Sequence, residues 1–207
     1  MMTDWALMLR RGALHRLIRS IGFLKNLTHP LDKQLRLVLD ERSHPTAALA
    51  SPALASLQGP ALLCYNDAQF SEVDFQSIQR IGDSLKKEES QGAKTGRFGV
   101  GFNSVYHVTE LPTFVSGRHV AMFDPQAKYL PNVNPANPGK KIDFLDKVHR
   151  QVLQTYADQF KPLRAFGCDV LAPTPAAFPA TLFRFPLRTP AQAEASRLSK
   201  QVGGCEC

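Results

Sequence analysis

A run of three glycines constrains this chain more than any other segment, because it leads directly into a stretch that favours a helix. The run is Gly96-Arg97-Phe98-Gly99-Val100-Gly101-Phe102. Without a Cβ, its glycines can adopt positive φ and bring the backbone close to a ligand. The free amides at the start of the following helix would then point at an anion. The run predicts either a phosphate-binding loop or an ordinary glycine-rich turn, and its own residues do not choose between them.

A second feature is the short apolar segment 61–64, which is followed by Tyr65-Asn66-Asp67. An apolar run that is bounded by turn residues predicts a buried strand, and this one would carry a carboxylate at its end. An aspartate in such a position is more often a turn former or the N-cap of a helix. Asp67 is therefore either a ligand-binding group or a local turn residue.

Three blocks in a fixed order resemble a known family. They read YNDAQF at residues 65–70, GRFGVGFNSVYHVT at residues 96–109 and TLFRFPLR at residues 181–188. Together they are similar to the repeat domain of sacsin, and the similarity extends from about residue 35 to residue 188. That domain is related to the ATPase domain of the ninety-kilodalton heat-shock chaperone, within the Bergerat-fold superfamily. The resemblance implies an α/β (α+β) two-layer sandwich, with one mixed sheet, helices on a single face and an atypical first helix.

The resemblance also implies a site for ATP or ADP, with Mg2+ as a further ligand. Asp67, with Asn66 beside it, would accept a hydrogen bond from the exocyclic amine of adenine, because an ionised carboxylate is only an acceptor. Thr181 would support this contact directly or through water, or it would be an ordinary strand residue. The residues assigned to the phosphate loop are Gly96, Arg97, Phe98, Gly99, Val100, Gly101 and Phe102.

One motif of such ATPases is absent, namely a helix whose glutamate activates water and whose asparagine holds magnesium. Counted back without a gap from Asp40-Glu41-Arg42, which matches the family pattern after the first core strand, the asparagine position falls on Asn26 and the glutamate position on Gly22. Pro30 would stop a helix there. Asn26 is the one metal-ligand candidate, and no catalytic residue is assigned. We expect hydrolysis to be weak or absent, since the general base is missing.

Three functions remain open at this point. The favoured one is an ATP- or ADP-binding module of a sacsin-like molecular chaperone or co-chaperone, with a client protein or a chaperone as its partner, in the cytoplasm. The second is a degenerate fragment that binds no nucleotide and acts as a protein interaction domain. The third is an active ATPase, so the sequence leaves enzymatic activity undecided.

Three regions are predicted: a basic amphipathic segment at 1–30, a Bergerat-type nucleotide-binding domain at 31–190 and a disordered tail at 191–207. Residues 4–27 have apolar side chains at helical spacing, which fits a docked helix, a targeting presequence or a membrane-surface helix.

The formal net charge is +7, but the basic residues are scattered, so we predict no nucleic-acid partner. No stretch approaches the ~20 apolar residues of a membrane span, and no membrane partner is predicted.

The remaining patterns predict a helix at 72–85, a polar lid at 84–95, a hairpin at 111–123, a second helix at 145–160 and a last strand at 181–187. Ser71 is the cap candidate of the first helix, and the hairpin would turn at Ser116-Gly117. The second helix is indicated by Val148, Val152 and Tyr156, which lie at helical spacing. Cys64, in the apolar strand, is expected to be buried.

Overall fold

The computed structural model describes residues 34–76, 78, 102 and 104–198. In this part of the chain six strands form one sheet and the helices are short, so the fold is α+β. The strands are β1 (Leu35–Asp40), β2 (Ala61–Asn66), β3 (Thr113–Gly117), β4 (His119–Phe123), β5 (Gly139–Asp143) and β6 (Phe178–Pro186). The α-helices are α1 (Lys147–Thr155), α2 (Ala157–Phe160) and α3 (Pro190–Ala195), and residues 72–76 are also helical. Short 3-10 helices span Pro52–Leu57, Ser104–His107 and Lys161–Leu163.

The strand order is β1-β2-β6-β3-β4-β5, and every pair of neighbours is antiparallel. The predicted mixed sheet is therefore wrong for the described residues. The last strand of the chain, β6, lies between β2 and β3 and is antiparallel to both. Apolar patterning identifies a strand but carries no information on the direction of its neighbours, because the alternation of side chains is the same in both orientations.

Both faces of the sheet are buried, which corrects the expectation of helices on a single face. Alternate residues of β6 separate the two cores, with Phe183 on one face and Leu182 on the other. The aromatic face, as we name the side of Phe183, packs against side chains that lie between β2 and β3 in the chain, namely Phe70, Phe75, Ile78, Phe102, Val105, Tyr106 and Val108. The opposite, aliphatic face packs against α1, α2 and two of the 3-10 helices. A continuous apolar run such as that of β2 is typical of a strand that is buried on both sides.

β1, which the sequence suggested as a core strand, lies at the edge of the sheet. Leu35, Leu37 and Val38 on this strand are exposed. At its end Arg42 binds the carboxylate of Asp40 through two bonds of 2.7 and 2.9 Å. Burial alone would raise the pKa of Asp40, but these hydrogen bonds outweigh it and lower the pKa.

The predicted hairpin is confirmed, and the predicted second helix is present as two shorter helices, α1 and α2. β3 and β4 join at Gly117, whose φ of +56° suits a residue without a Cβ. In α1, Val148 is 68% exposed and the buried residue is Leu153, which is 1% exposed. The predicted spacing assumed one continuous helix to residue 160, but α1 ends at Thr155 and a separate helix follows.

Other local predictions concern a helix cap, the end of the chain and Cys64. Ser71 and Asp74 bond each other's backbone N–H groups, as expected for a cap before helical residues 72–76. The tail expected to be disordered from residue 191 begins inside α3, where Thr189 and Gln192 form a capping box. Cys64 is buried, as predicted, and burial raises its pKa to about 12.

None of the helices formed by the described residues is long and apolar enough to cross a membrane. The predicted lid at 84–95 and the segment 1–30 lie outside the described residues.

Arg188, the last residue of the third sequence block, anchors the end of the 3-10 helix Ser104–His107 and the residues that follow it. Its guanidinium donates to the carbonyl oxygens of Tyr106 at 2.7 Å and Thr109 at 3.2 Å. Its Nε lies 2.5 Å from a carboxylate oxygen of Glu110, whose other oxygen accepts from Gln126. Arg188 and Glu110 are each 2% exposed, so this ion pair is part of the core.

Candidate functional site

A row of polar side chains crosses the aromatic face at one end of the sheet. In the strand register Asn66 of β2 lies opposite Thr181 of β6, Thr181 lies opposite Ser116 of β3, and Ser116 lies opposite His119 of β4. The first three are buried. Cross-strand neighbours on one face have Cβ atoms about 5 Å apart. These four residues, which we name the polar row, therefore form one line beside the aromatic core.

Two hydroxyl groups of the polar row hold the segment that follows β2. Thr181 Oγ1 donates to the carbonyl oxygen of Ala68 at 2.7 Å and lies 2.8 Å from Ser116 Oγ. Because the single proton of Thr181 goes to Ala68, the Ser116 hydroxyl must donate to Thr181. Ser116 Oγ in turn accepts from the N–H of Phe70 at 2.7 Å. Residues 67–70 are thus fixed to the sheet through a fully bonded chain.

Asp67 lies at the end of β2, as the sequence predicts. Its side chain is half-buried, so it is less enclosed than the buried carboxylate that the resemblance implied. Asp67 Oδ1 accepts a hydrogen bond from the backbone N–H of Gln34 at 3.2 Å, directly before β1. The carboxylate therefore lies at the β1–β2 corner of the sheet.

Asn66 has one half of its amide satisfied and the other half unpaired. Its Oδ1 accepts from the N–H of Ala68 at 3.1 Å, which is an Asx turn. Its Nδ2 is buried and has no hydrogen-bond partner. A buried donor without a partner costs about 1–3 kcal/mol, and such groups are rare in native structures.

Among the other predicted site residues, Phe102 is a core side chain. Its ring packs edge-on against Phe123 at 5.8 Å and against Tyr106 at 6.4 Å between centroids. Only its backbone is left for a ligand, so its predicted role in the phosphate loop stays a prediction. Residues 96–101 and Asn26 lie outside the described residues. The structure thus brings together Asn66, Asp67 and Thr181 at one corner.

Ser116 is a member of this corner that the sequence reasoning missed. The signal was present, because alternation along β3 places residue 116 on the same face as Phe114, which is fully buried. A serine at a core-facing position directly before a hairpin glycine needs a hydrogen-bond partner. Here the partners are the hydroxyl of Thr181 and the backbone of Phe70.

A cavity of about 300 Å3 lies at the other end of the polar row, between Phe70, Phe75, Ser116 and His119. Burial, together with the positive charge of Lys141, lowers the pKa of His119. Asp67 does not line this cavity. The cavity is therefore separate from the corner formed by Asn66, Asp67 and Thr181, which we name the Asp67 corner. The described residues contain no group of three His, Cys, Asp or Glu side chains placed to hold a metal ion.

The fold and this corner define an α+β domain with one six-stranded antiparallel sheet and a candidate ligand site at the end of β2. Residues 31–205 match the family described as Sacsin domain. The chain is also 36% identical over 177 residues to Sacsin from Homo sapiens, which covers 85% of this chain and 4% of that protein. The chain therefore belongs to the sacsin domain family, which confirms the resemblance drawn from the three sequence blocks. It spans 4% of the length of this relative.

Proposed function

We propose that this sacsin-family domain binds ATP or ADP at the Asp67 corner and serves as a nucleotide-binding module of a chaperone or co-chaperone. The observation that carries the proposal is the position of Asp67, a half-buried carboxylate residue directly after β2, at the corner where Gln34 leads into β1. An ionised carboxylate forms strong hydrogen bonds to an amine, such as the exocyclic amine of adenine. The chaperone role extends the proposal from the family, and a client protein is its expected partner.

The backbone next to Asp67 is held in place before any ligand binds. Thr181 bonds Ala68 at 2.7 Å, and Ser116 bonds Phe70 at 2.7 Å. A segment that is already ordered loses less conformational entropy when it binds, so more of the contact energy is retained as affinity. The polar row therefore supports the proposal through positioning.

Hydrolysis is proposed to be weak or absent. The sequence position that corresponds to the water-activating glutamate is Gly22, and loss of a general base typically costs about 100- to 10,000-fold in rate. Phosphate release from ATP should therefore remain close to the rate without protein, with or without Mg2+. Turnover that is abolished by changing Asp67 would instead establish an active ATPase.

Thermal unfolding of the full chain with and without ADP and Mg2+ tests nucleotide binding. A ligand at 100 times its Kd stabilises the folded state by about 2.7 kcal/mol. We expect this stabilisation for the wild type and its loss in Asp67→Asn. Asp169→Asn is a matched control, because Asp169 is a half-exposed carboxylate that pairs with Arg164 at 3.0 Å in another loop. Equal ADP stabilisation of both variants would contradict the proposal.

A protein interaction role is a second candidate, and the exposed edge of the sheet favours it. β1 exposes Leu35, Leu37 and Val38, whereas the opposite edge strand, β5, carries Lys140 and Lys141. Lysines protect an edge strand from pairing with other chains, and exposed apolar residues do not. Strand addition at β1 predicts association that depends on concentration and is lost in Val38→Lys but kept in Asp67→Asn. Light scattering of these variants distinguishes the two functions.

A further inference from the structure

We propose that the outer side of β5 binds an extended acidic segment of another protein, which adds to the sheet as a further strand and places one aromatic side chain in an adjacent cavity. We name this surface, formed by Gly139, Lys140, Lys141 and the cavity beside them, the β5 edge. It is remote from the Asp67 corner, because β6 and β3 separate β2 from β4 and β5. The inference therefore does not depend on nucleotide binding.

The main chain of β5 has hydrogen-bonding groups available along its outer side. No strand of the described residues pairs with that side. The N–H of Asp124 donates to the carbonyl oxygen of Pro138 at 2.7 Å, and bonded pairs alternate along an antiparallel ladder, so residues 140 and 142 bond to β4. The N–H and C=O groups of Gly139 and Lys141 therefore point outwards, and both residues are exposed. An added strand would pair with these groups.

A cavity of about 280 Å3 adjoins this edge on the aromatic face. Its apolar wall includes Phe75, Ile78, Ala121 and Phe123, and Gly139 also lines it. A cavity of about 150 Å3 can hold a benzene ring, so this one has room for a phenyl group. A Cβ at position 139 would lie 3.2 Å from the ring of Phe123. Glycine thus keeps the space between the strand edge and the apolar wall free.

The geometry of strand pairing determines which ligand side chain enters the cavity. Gly139 lies opposite Phe123, on the aromatic face. Lys141 shares this face, and Lys140 points to the other. Directly opposite residues point to the same face, so a ligand residue opposite Gly139 faces the cavity. In an antiparallel ligand strand, the two residues before it lie opposite Lys141 and Lys140.

The charges of the β5 edge favour an acidic ligand. Lys141 Nζ lies 3.2 Å from a carboxylate oxygen of Glu72, but this pair is exposed and contributes little, so Lys141 is available to a ligand carboxylate. Asp143, the acidic residue of β5, is paired with Arg118 at 2.6 Å. Lysines at an edge oppose pairing with a second copy of the same strand and attract an acidic one. The chain's own segment 1–30 has five basic residues and one acidic residue, so it does not match this charge.

The ligand motif that follows is acidic, acidic, aromatic, and a labelled peptide Thr-Glu-Glu-Phe-Thr tests it. Fluorescence anisotropy at low ionic strength measures its binding to the full chain. Replacing Phe by Ala in the peptide should weaken binding at least about 10-fold, because the phenyl group is no longer buried. Replacing both Glu residues by Lys should weaken it to a similar degree. N-methylation of the first Glu, opposite Lys141, should also cost at least about 10-fold, since it removes a main-chain hydrogen bond.

Variants of the protein locate the peptide at the β5 edge. Ala121→Leu fills the cavity and should reduce the affinity for the Phe peptide to that for the Ala peptide. Lys141→Gln should weaken binding of the Glu-Glu-Phe peptide. Lys147→Gln is the matched control, because Lys147 begins α1, which packs on the aliphatic face, and its affinity should equal that of the wild type.

The inference is overturned if the wild type does not bind the Glu-Glu-Phe peptide. Equal affinity for the Phe and Ala peptides, or full affinity of the N-methylated peptide, also overturns it, because only general attraction to a basic protein would then remain. Should Ala121→Leu not fold, these three peptides still decide with the wild type alone.

Discussion

Replacing Arg188 by methionine should remove one of the strongest anchors in this fold. Its guanidinium lies 2.5 Å from Glu110 and donates to the backbone at Tyr106 and Thr109. Since both charged residues are 2% exposed, the variant leaves a buried carboxylate without its cation. Removing one partner of a buried pair costs about 3–5 kcal/mol. That loss is a large share of the roughly 5–15 kcal/mol by which a domain is stable.

Urea unfolding followed by circular dichroism measures this cost, and a double-mutant cycle assigns it to the pair. Arg188→Met together with Glu110→Gln should cost clearly less than the sum of the two single variants, because the double variant leaves no unpaired charge. Arg164→Met is the control, since the Arg164–Asp169 pair is half-exposed and such pairs contribute at most about 1 kcal/mol. The reasoning is refuted if Arg188→Met costs no more than Arg164→Met, or if the double variant is additive.

Two further predictions concern the pH dependence of stability and the hairpin. Burial and a neighbouring arginine lower the pKa of His44, so the unfolded chain binds more protons below about pH 6.5, and this part of the stability is lost as the pH falls from 7 to 5. The variant His44→Gln should therefore show a shallower decline than the wild type in urea unfolding over that range, and an unchanged slope would contradict it. Gly117→Ala should cost about 1–2 kcal/mol because its φ is +56°, whereas Gly59→Ala, with nothing within 4 Å of the added Cβ, should be close to neutral in the same assay.

The parts of the fold that local sequence decides were predicted well. The apolar segment 61–64 became β2 with Asp67 at its end, and Gly117 turned the hairpin, because both depend on neighbouring residues alone. The insertion of β6 between β2 and β3 was not predictable in this way, since it pairs residues more than sixty positions apart. The burial of Leu153 in place of Val148 likewise depends on where α1 ends and which side meets the sheet.

In the candidate site, too, the sequence identified individual residues but not their spatial arrangement. Asp67 and Thr181 were identified through the family resemblance, but their geometric relation arises only when β2, β6 and β3 align in register. The unpaired nitrogen of Asn66 and the hydroxyl bond from Ser116 are consequences of that register. A single sequence shows which residues are polar, but it does not show which of their hydrogen bonds the fold satisfies.

Calorimetric titration of ADP with Mg2+ into the full chain tests the central claim most directly, namely that an adenine nucleotide binds at the Asp67 corner. We expect one saturable site in the wild type, no measurable heat in Asp67→Asn and unchanged binding in Asp169→Asn. Absence of binding in the wild type, or the same affinity in Asp67→Asn, would contradict the claim.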